Sequence, residues 1–164
     1  SETLDILTKN PEIWKKTIFI LTYDENDGYF DHVSPFVPAH PDRPFSGSNP
    51  AGMDTRDEYV TSQQEQQRIG NQESELDSPI GLGFRVPMVV ASPWSKGGWV
   101  NSEVLDLTSN IPFLEHFIQK KTGKKVLENN LSSCRRAVCG DMTSVFLNAG
   151  ANEPAPAVEF VDRY

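Results

Sequence analysis

An apolar run near the start of the chain leads directly into a group of acidic residues. The segment TIFILTY (17–23) is apolar and β-branched. The ten residues that follow it contain five side chains able to bind a metal or carry a proton: Asp24, Glu25, Asp27, Asp31 and His32. Two adjacent carboxylates repel each other, and a cation is the usual way to hold both ionised. This pattern indicates a metal site formed by Asp24 and Glu25.

The same residues also fit less specific interpretations. Asn-Asp-Gly (26–28) is a turn sequence in which Gly28 is free to adopt positive φ, so a solvated turn is an equal alternative. An EF-hand is excluded, because aligning Gly28 with its sixth position places Tyr23 first and Ser34 twelfth, where Asp and Glu are required. Three roles remain open for His32: a second metal ligand, a proton donor to a leaving group, or a hydrogen-bonded loop histidine.

Other polar residues favour structural roles. His40, in AHPDRP, is typical of a surface loop, and His116 is expected to be exposed beside the apolar face of its helix. Arg85 precedes an apolar strand and favours a structural ion pair over an anion site. Cys134 and Cys139 are too few for a disulfide framework and have no His or Cys neighbours for a zinc site. Two interpretations remain: the two cysteines pair with each other, or they are small buried residues.

The elements that position these residues alternate between helix and strand. Residues 17–23 and RVPMVVAS (85–92) have the nearly continuous apolarity of strands buried on both faces. Helices are predicted at 2–9, ended by Asn10-Pro11, at 110–122, capped by Thr108 or Ser109 and ended by Gly123, and at 142–149, capped by Asp141. The long polar segment 34–79 favours a functional or disordered loop.

This order predicts the α/β class, with ligands collected at the carboxyl ends of the strands. Two central strands are too few for a parallel sheet buried on both faces. We therefore expect the sheet to be completed by polypeptide outside this chain. Residues 1–150 are expected to form part of one domain, and residues 151–164 a linker or tail.

Composition excludes several classes of protein. The 164 residues carry a net charge of −8, and the basic residues of 120–125 are the only basic cluster, which argues against nucleic-acid binding. No apolar run is long enough to cross a bilayer, and the polar opening SETLDILTKN has no signal-peptide character.

Four longer stretches, in order along the chain, carry a resemblance. They are WKKTIFILTYDENDGYFDHVSP, GLGFRVPMVVASPWSKGGWVNSEVLDLTS, FLEHF and RRAVCGDMTSVF. Together they resemble the bacterial phosphoesterase family that holds non-haemolytic phospholipases C and related acid phosphatases. Their order is also similar to the C-terminal part of the alkaline-phosphatase and sulfatase superfamily.

The resemblance implies a three-layer fold with a mainly parallel central sheet, incomplete in this chain, and residues 1–150 as the C-terminal portion of the catalytic domain. It implies Asp24 and Glu25 as metal ligands, His32 near the site, and an attacking Ser or Thr outside this chain. Leu107 stands where family members often have histidine. All-oxygen ligands favour Ca²⁺, Mg²⁺ or Mn²⁺ over Zn²⁺.

The resemblance implies a periplasmic or secreted phosphoesterase, with a phospholipase C acting on phosphatidylcholine-like lipids as the first hypothesis. Its partners would be the phosphate-ester substrate and the rest of its own polypeptide, and the isolated 164 residues are expected to be inactive. An acid phosphatase shares the site chemistry and remains open. A non-catalytic metal- or partner-binding module remains the third hypothesis.

Overall fold

The computed structural model describes residues 2–47, 49, 52–60, 78–95 and 100–146. The helices and strands are α1 (Glu2–Thr8), α2 (Pro11–Trp14), β1 (Phe19–Thr22), β2 (Tyr59–Val60), β3 (Ser78–Pro79), β4 (Met88–Ala91), α3 (Asn110–Thr122) and α4 (Ser133–Val138). Short 3-10 helices occupy Pro44–Ser46, Arg56–Glu58, Leu107–Ser109 and Thr143–Phe146. The predicted linker or tail at 151–164 and most of 61–79 lie outside the described residues.

The two predicted strands form and pair with each other. β1 and β4 run antiparallel, with Phe19 opposite Ala91 and Thr22 opposite Met88. A second, two-residue pair joins β2 to β3, also antiparallel. The structure is therefore mixed α/β, as predicted. Its described sheets are small and antiparallel, so the mainly parallel central sheet stays a prediction.

The predicted helix at 110–122 is confirmed as α3 with the same bounds. Gly123 ends it in the left-handed conformation at φ 73°. The predicted caps were wrong: Ser109 makes no side-chain bond to the helix, and Asp106 instead forms a capping box with Ser109 at the start of the 3-10 turn Leu107–Ser109. The Asp106 side chain, two or three residues before the expected caps, accepts from the backbone N–H of Ser109.

The N-terminal helix was predicted correctly and its continuation was not. α1 ends at Thr8, as the Asn10-Pro11 pair predicts. Asn10 then caps a new turn, α2, by accepting from the N–H groups of Glu12 at 3.1 Å and Ile13 at 3.3 Å. Proline at the first helical position needs no N–H partner, so a sequence that ends one helix also begins the next.

A well-packed region lies within the long polar segment. Tyr59 donates its hydroxyl to the carbonyl of Pro38 at 2.7 Å, and Thr55 donates to the carbonyl of Ala39 at 2.8 Å. His40 packs edge-on against Tyr59, with ring centroids 4.8 Å apart, and is only 6% exposed. The expectation that His40 lies on the surface was therefore wrong: the Pro-rich sequence around it folds back to bury the ring.

Apolar faces elsewhere remain open to solvent. Leu21 on β1 and Val89 on β4 are 50% and 48% exposed, and Leu114 and Phe117 on the predicted inward face of α3 are similarly open. No helix among the described residues is long and apolar enough to span a bilayer.

Candidate active site

Residues 24–31, here named the acidic loop, follow β1 and are closed at both ends by one short segment. At its start, the Tyr23 N–H donates to the carbonyl of Pro87 at 3.1 Å, extending the β1–β4 pairing. At its end, the Asp31 carboxylate accepts two bonds from the Arg85 guanidinium, one of them 2.9 Å long from Nη2. Residues 85–87 thus bind both ends of the loop.

The predicted turn lies at the centre of the acidic loop. Asp27 and Gly28 both have positive φ, 56° and 75°. The Tyr29 N–H donates to the Asn26 carbonyl at 3.2 Å, and the Asn26 side-chain amide donates back to the Tyr29 carbonyl. Asp and Gly are among the residues that adopt this conformation most readily, so the Asn-Asp-Gly sequence reverses the chain here as expected.

Asp24 and Glu25 are exposed at the start of the acidic loop. Within the described residues, neither carboxylate makes a hydrogen bond or ion pair. Their oxygens are therefore available to a hard cation, and this donor set fits Ca²⁺, Mg²⁺ or Mn²⁺. No group of three or more His, Cys, Asp or Glu side chains gathers around a potential metal position in the described part of the chain, so the remaining ligands of such an ion would come from elsewhere.

Asp31 is the most enclosed charge of the loop. Its side chain is 14% exposed, whereas Arg85 is 67% and His32 84% exposed. The Arg85 guanidinium holds the pKa of Asp31 well below its usual range, with a further contribution from the Val33 N–H. His32 places Nδ1 2.9 Å from Asp31 Oδ1. The expected structural ion pair of Arg85 is confirmed, and it includes the residue beside His32.

Aromatic rings flank the same junction. Phe30 and Phe84 meet edge-to-face, with centroids 5.3 Å apart and planes at 87°. Phe30 directly precedes Asp31 and Phe84 directly precedes Arg85, so the aromatic contact lies beside the Asp31–Arg85 ion pair. Phe30 remains 87% exposed.

A second charged cluster, which the sequence did not predict, is buried around Arg135 in α4. The guanidinium donates to both oxygens of Glu58 at 2.7–2.9 Å and to Asp106 Oδ2 at 2.6 Å. Both carboxylates are only 4% exposed. Burial raises the pKa of Asp106, but hydrogen bonds from Arg135 and Thr108 outweigh it and the net direction is downward. The only available signal was the presence of Asp106 and Arg135 in the family-like stretches.

A cleft of about 420 Å³ opens over this cluster. Arg135 and the two carboxylates line it together with Leu82 and Leu107, among others. Leu107 is 45% exposed there. The arginine already donates to Glu58, Asp106 and the Gly81 carbonyl, so this cluster acts as a structural tie between segments.

The remaining predicted candidates have local partners. His116 is exposed on α3, as predicted, and its Nδ1 lies 3.2 Å from Asp141 Oδ2. Both cysteines are free thiols. Burial raises the pKa of Cys134, and burial together with the Asp106 charge raises that of Cys139 to about 12, so neither is suited to act as a thiolate nucleophile.

The model of the Phosphoesterase family matches residues 1–119. The chain is 49% identical over 160 residues to the non-hemolytic phospholipase C of Pseudomonas aeruginosa, covering 95% of this chain and 21% of that protein. It is 43% identical to the hemolytic phospholipase C of the same organism, over 99% of the chain and 19% of that protein. It is 41% identical to the non-hemolytic phospholipase C of Burkholderia pseudomallei, over 88% of the chain and 19% of that protein. The chain thus spans about a fifth of the length of these relatives.

Proposed function

This chain belongs to the phosphoesterase family, and from that premise we propose that the protein carrying it hydrolyses phosphate esters as a phospholipase C acting on phosphatidylcholine-like lipids. The observation that carries the proposal is the similarity to proteins named phospholipase C over nearly the whole chain, at 49% identity in the Pseudomonas case. The free carboxylates of the acidic loop, Asp24 and Glu25, supply the chemical centre for it.

The proposed metal site consists of Asp24, Glu25 and ligands outside the described residues. A divalent cation bound there would stabilise negative charge on the phosphoryl oxygens during ester cleavage. Asp24 and Glu25 contribute the oxygen donors, and the turn at Asp27-Gly28 lets the backbone leave the strand immediately after them. The Tyr23–Pro87 and Asp31–Arg85 bonds keep the loop in position while substrate binds.

Several finer features belong to the same proposal. The nucleophile, a Ser or Thr, would lie outside this chain, and β1 and β4 would belong to a larger, mainly parallel sheet of the alkaline-phosphatase-like, three-layer type. The half-exposed apolar faces of β1, β4 and α3 support this, since they offer packing surface for further layers. The protein would be periplasmic or secreted, and part of segment 34–79 would line the substrate pocket.

The test uses the full-length protein, freed of metal by a chelator and then supplied separately with Ca²⁺, Mg²⁺, Mn²⁺ or Zn²⁺. Release of phosphocholine from phosphatidylcholine vesicles is the expected result. Hydrolysis of p-nitrophenyl phosphate alone would instead identify an acid phosphatase. No hydrolysis of either compound with any of the four metals would overturn the proposal and favour a binding module.

The site itself is tested by Asp24→Asn and Glu25→Gln. Asp5→Asn and Glu2→Gln, on exposed positions of α1, are matched controls for the loss of one carboxylate. Calorimetric titration of the chelator-treated protein should show weakened metal binding for the loop variants and unchanged binding for the helix variants. Wild-type metal affinity in both loop variants would remove Asp24 and Glu25 from the site.

A further inference from the structure

Asp31 lies between a fixed cation and the ring of His32. Its Oδ1 accepts from Arg85 Nη2 at 2.9 Å and from the Val33 N–H at 3.2 Å, and its Oδ2 accepts from Arg85 Nε. Three donors from two segments therefore fix the plane of this carboxylate. Its 14% exposure matches a group whose position is set by the protein, in contrast to the open carboxylates at the start of the loop.

The position of His32 relative to this carboxylate selects one form of the neutral ring. Nδ1 lies 2.9 Å from Asp31 Oδ1. A lone pair on Nδ1 would be repelled by the negative oxygen at this distance, whereas an N–H there is attracted. The proton of the neutral imidazole is therefore favoured on Nδ1. Nε2 then carries the lone pair, or an acidic proton when the ring is charged, on a side chain that is 84% exposed.

We propose that Asp31, fixed by Arg85, is a positioning residue that keeps His32 Nδ1 protonated so that Nε2 can give a proton to the leaving group of the phosphate ester. This inference rests on the proposed function. An ionised hydroxyl or hydroxide oxygen, whose proton has passed to solvent, forms the new bond to phosphorus while the bond from phosphorus to the leaving oxygen breaks. The electron pair stays on the leaving oxygen, which takes the proton from Nε2 of the charged ring, and the ring becomes neutral with its remaining proton on Nδ1.

The loop geometry supports a role at this place. Tyr23, which directly precedes Asp24, is bonded to Pro87. Asp31 is bonded to Arg85, which lies two residues before Pro87 in the sequence. The Asp31–His32 pair is thereby attached to the same short segment, residues 85–87, that pairs with the end of β1 from which Asp24 and Glu25 emerge. In the described part of the chain Nε2 has no hydrogen-bond partner, so it is available to a substrate.

Leaving-group dependence separates proton donation from a structural role. The full-length protein is assayed on short-chain phosphatidylcholine, whose alkoxide leaving group needs a proton, and on p-nitrophenyl phosphorylcholine, whose phenolate does not. For His32→Gln and Asp31→Asn we expect kcat on the alkyl ester to fall about 100-fold and on the nitrophenyl ester less than about threefold. Asp31→Glu should recover part of the loss, and Arg85→Gln should show a smaller loss in the same sense.

His116→Gln is the matched control, because His116 is also exposed and its Nδ1 also lies beside a carboxylate oxygen, 3.2 Å from Asp141 Oδ2, outside the acidic loop. It should leave both rates unchanged. Equal losses on the two esters in the Asp31 and His32 variants, or no loss, would overturn this inference while leaving the proposed function intact. A wild-type protein inactive on both esters would overturn the proposed function instead.

A second readout does not depend on turnover. Nitrogen chemical shifts of selectively labelled His32, recorded at about pH 8.5 where an ordinary imidazole is neutral, report which nitrogen carries the proton. We expect Nδ1–H in the wild type and a shift toward Nε2–H in Asp31→Asn. Nε2–H in the wild type would contradict the proposed geometry directly.

Discussion

At the scale of single residues, Arg135 connects segments that are far apart in the sequence. It is bonded to Glu58, 77 positions earlier, and to Asp106, 29 positions earlier. Both partners are almost fully buried, and the arginine side chain is 16% exposed. Removing one member of such a cluster leaves charges in a medium that solvates them poorly, which costs far more than the loss of a surface pair.

Arg135→Met is therefore expected to lower the free energy of unfolding by about 3–5 kcal/mol, because Glu58 and Asp106 lose their buried cation. Urea unfolding of the protein followed by circular dichroism measures this. The matched control is Arg56→Met, whose partner Asp54 is 51% exposed, with an expected change much smaller than that at position 135. Adding Glu58→Gln and Asp106→Asn to Arg135→Met should recover part of the loss. Similar effects at positions 135 and 56 would contradict the structural role of the cluster.

At the scale of elements, the end of α3 depends on backbone conformation alone. Gly123 has φ 73°, and a side chain added there would meet no atom within 4 Å. Its N–H donates to the Gln119 carbonyl at 2.8 Å, which closes the last turn. Any effect of substitution should therefore come from the left-handed conformation and not from crowding.

Gly123→Ala should lower the free energy of unfolding by about 1 kcal/mol, the cost of placing a β-carbon in the left-handed region. Gly123→Asn should lower it less, since asparagine tolerates this conformation better. Thermal unfolding of the two variants beside the wild type gives the comparison. An equal loss for Ala and Asn would point to a contact at this position that the structure does not contain.

Local patterns in the sequence predicted the elements better than their connections. The apolar runs around Phe19–Thr22 and Met88–Ala91 and the glycine after α3 specify their own conformation through nearest neighbours. α4 was not predicted, because SCRRAV has too few apolar positions to show a helical period. Its stability comes from the Arg135 contacts, and partners separated by 77 positions leave no periodic trace.

The candidate site likewise combines local features that the sequence predicts with long-range contacts that it does not. The end of the strand and the turn that expose Asp24 and Glu25 follow from short-range sequence rules, and both are present. The bonds that close the loop, Tyr23 to Pro87 and Asp31 to Arg85, depend on strand pairing across more than fifty positions. Only the structure reveals that the residue preceding His32 is the one that Arg85 binds.

At the scale of the whole molecule, the net charge of −8 coexists with carboxylates stabilised in their ionised form. The pKa lies below its usual range for Asp31, Asp54, Asp106, Glu115 and Asp141. A group whose pKa is lower in the folded than in the unfolded protein stabilises the fold above its unfolded pKa and loses that contribution as pH falls through the folded pKa. Acid should therefore unfold this protein progressively.

Glu115 gives a specific test of this titration. Its hydrogen bonds from Arg136 lower its pKa from 4.5 to about 2, so its contribution is complete above pH 4.5 and is lost as pH falls toward 2. Glu115→Gln should therefore be less stable than the wild type at pH 7, and the difference should narrow between pH 4.5 and 3. Urea unfolding across this range measures it, and Arg136→Met should show the same trend. A difference that does not vary with pH would exclude this ion pair as its source.

The bonded pair Asp31–Arg85 gives the protein a modular layout. Asp31 and Arg85 are 54 positions apart in the sequence and are bonded to each other, so the segment between them begins and ends at the same place. This segment can therefore differ in length and sequence without displacing the neighbouring carboxylates of the acidic loop, provided that Glu58 or an equivalent residue still reaches Arg135. Substitutions and insertions in this segment can therefore accumulate independently of the acidic loop.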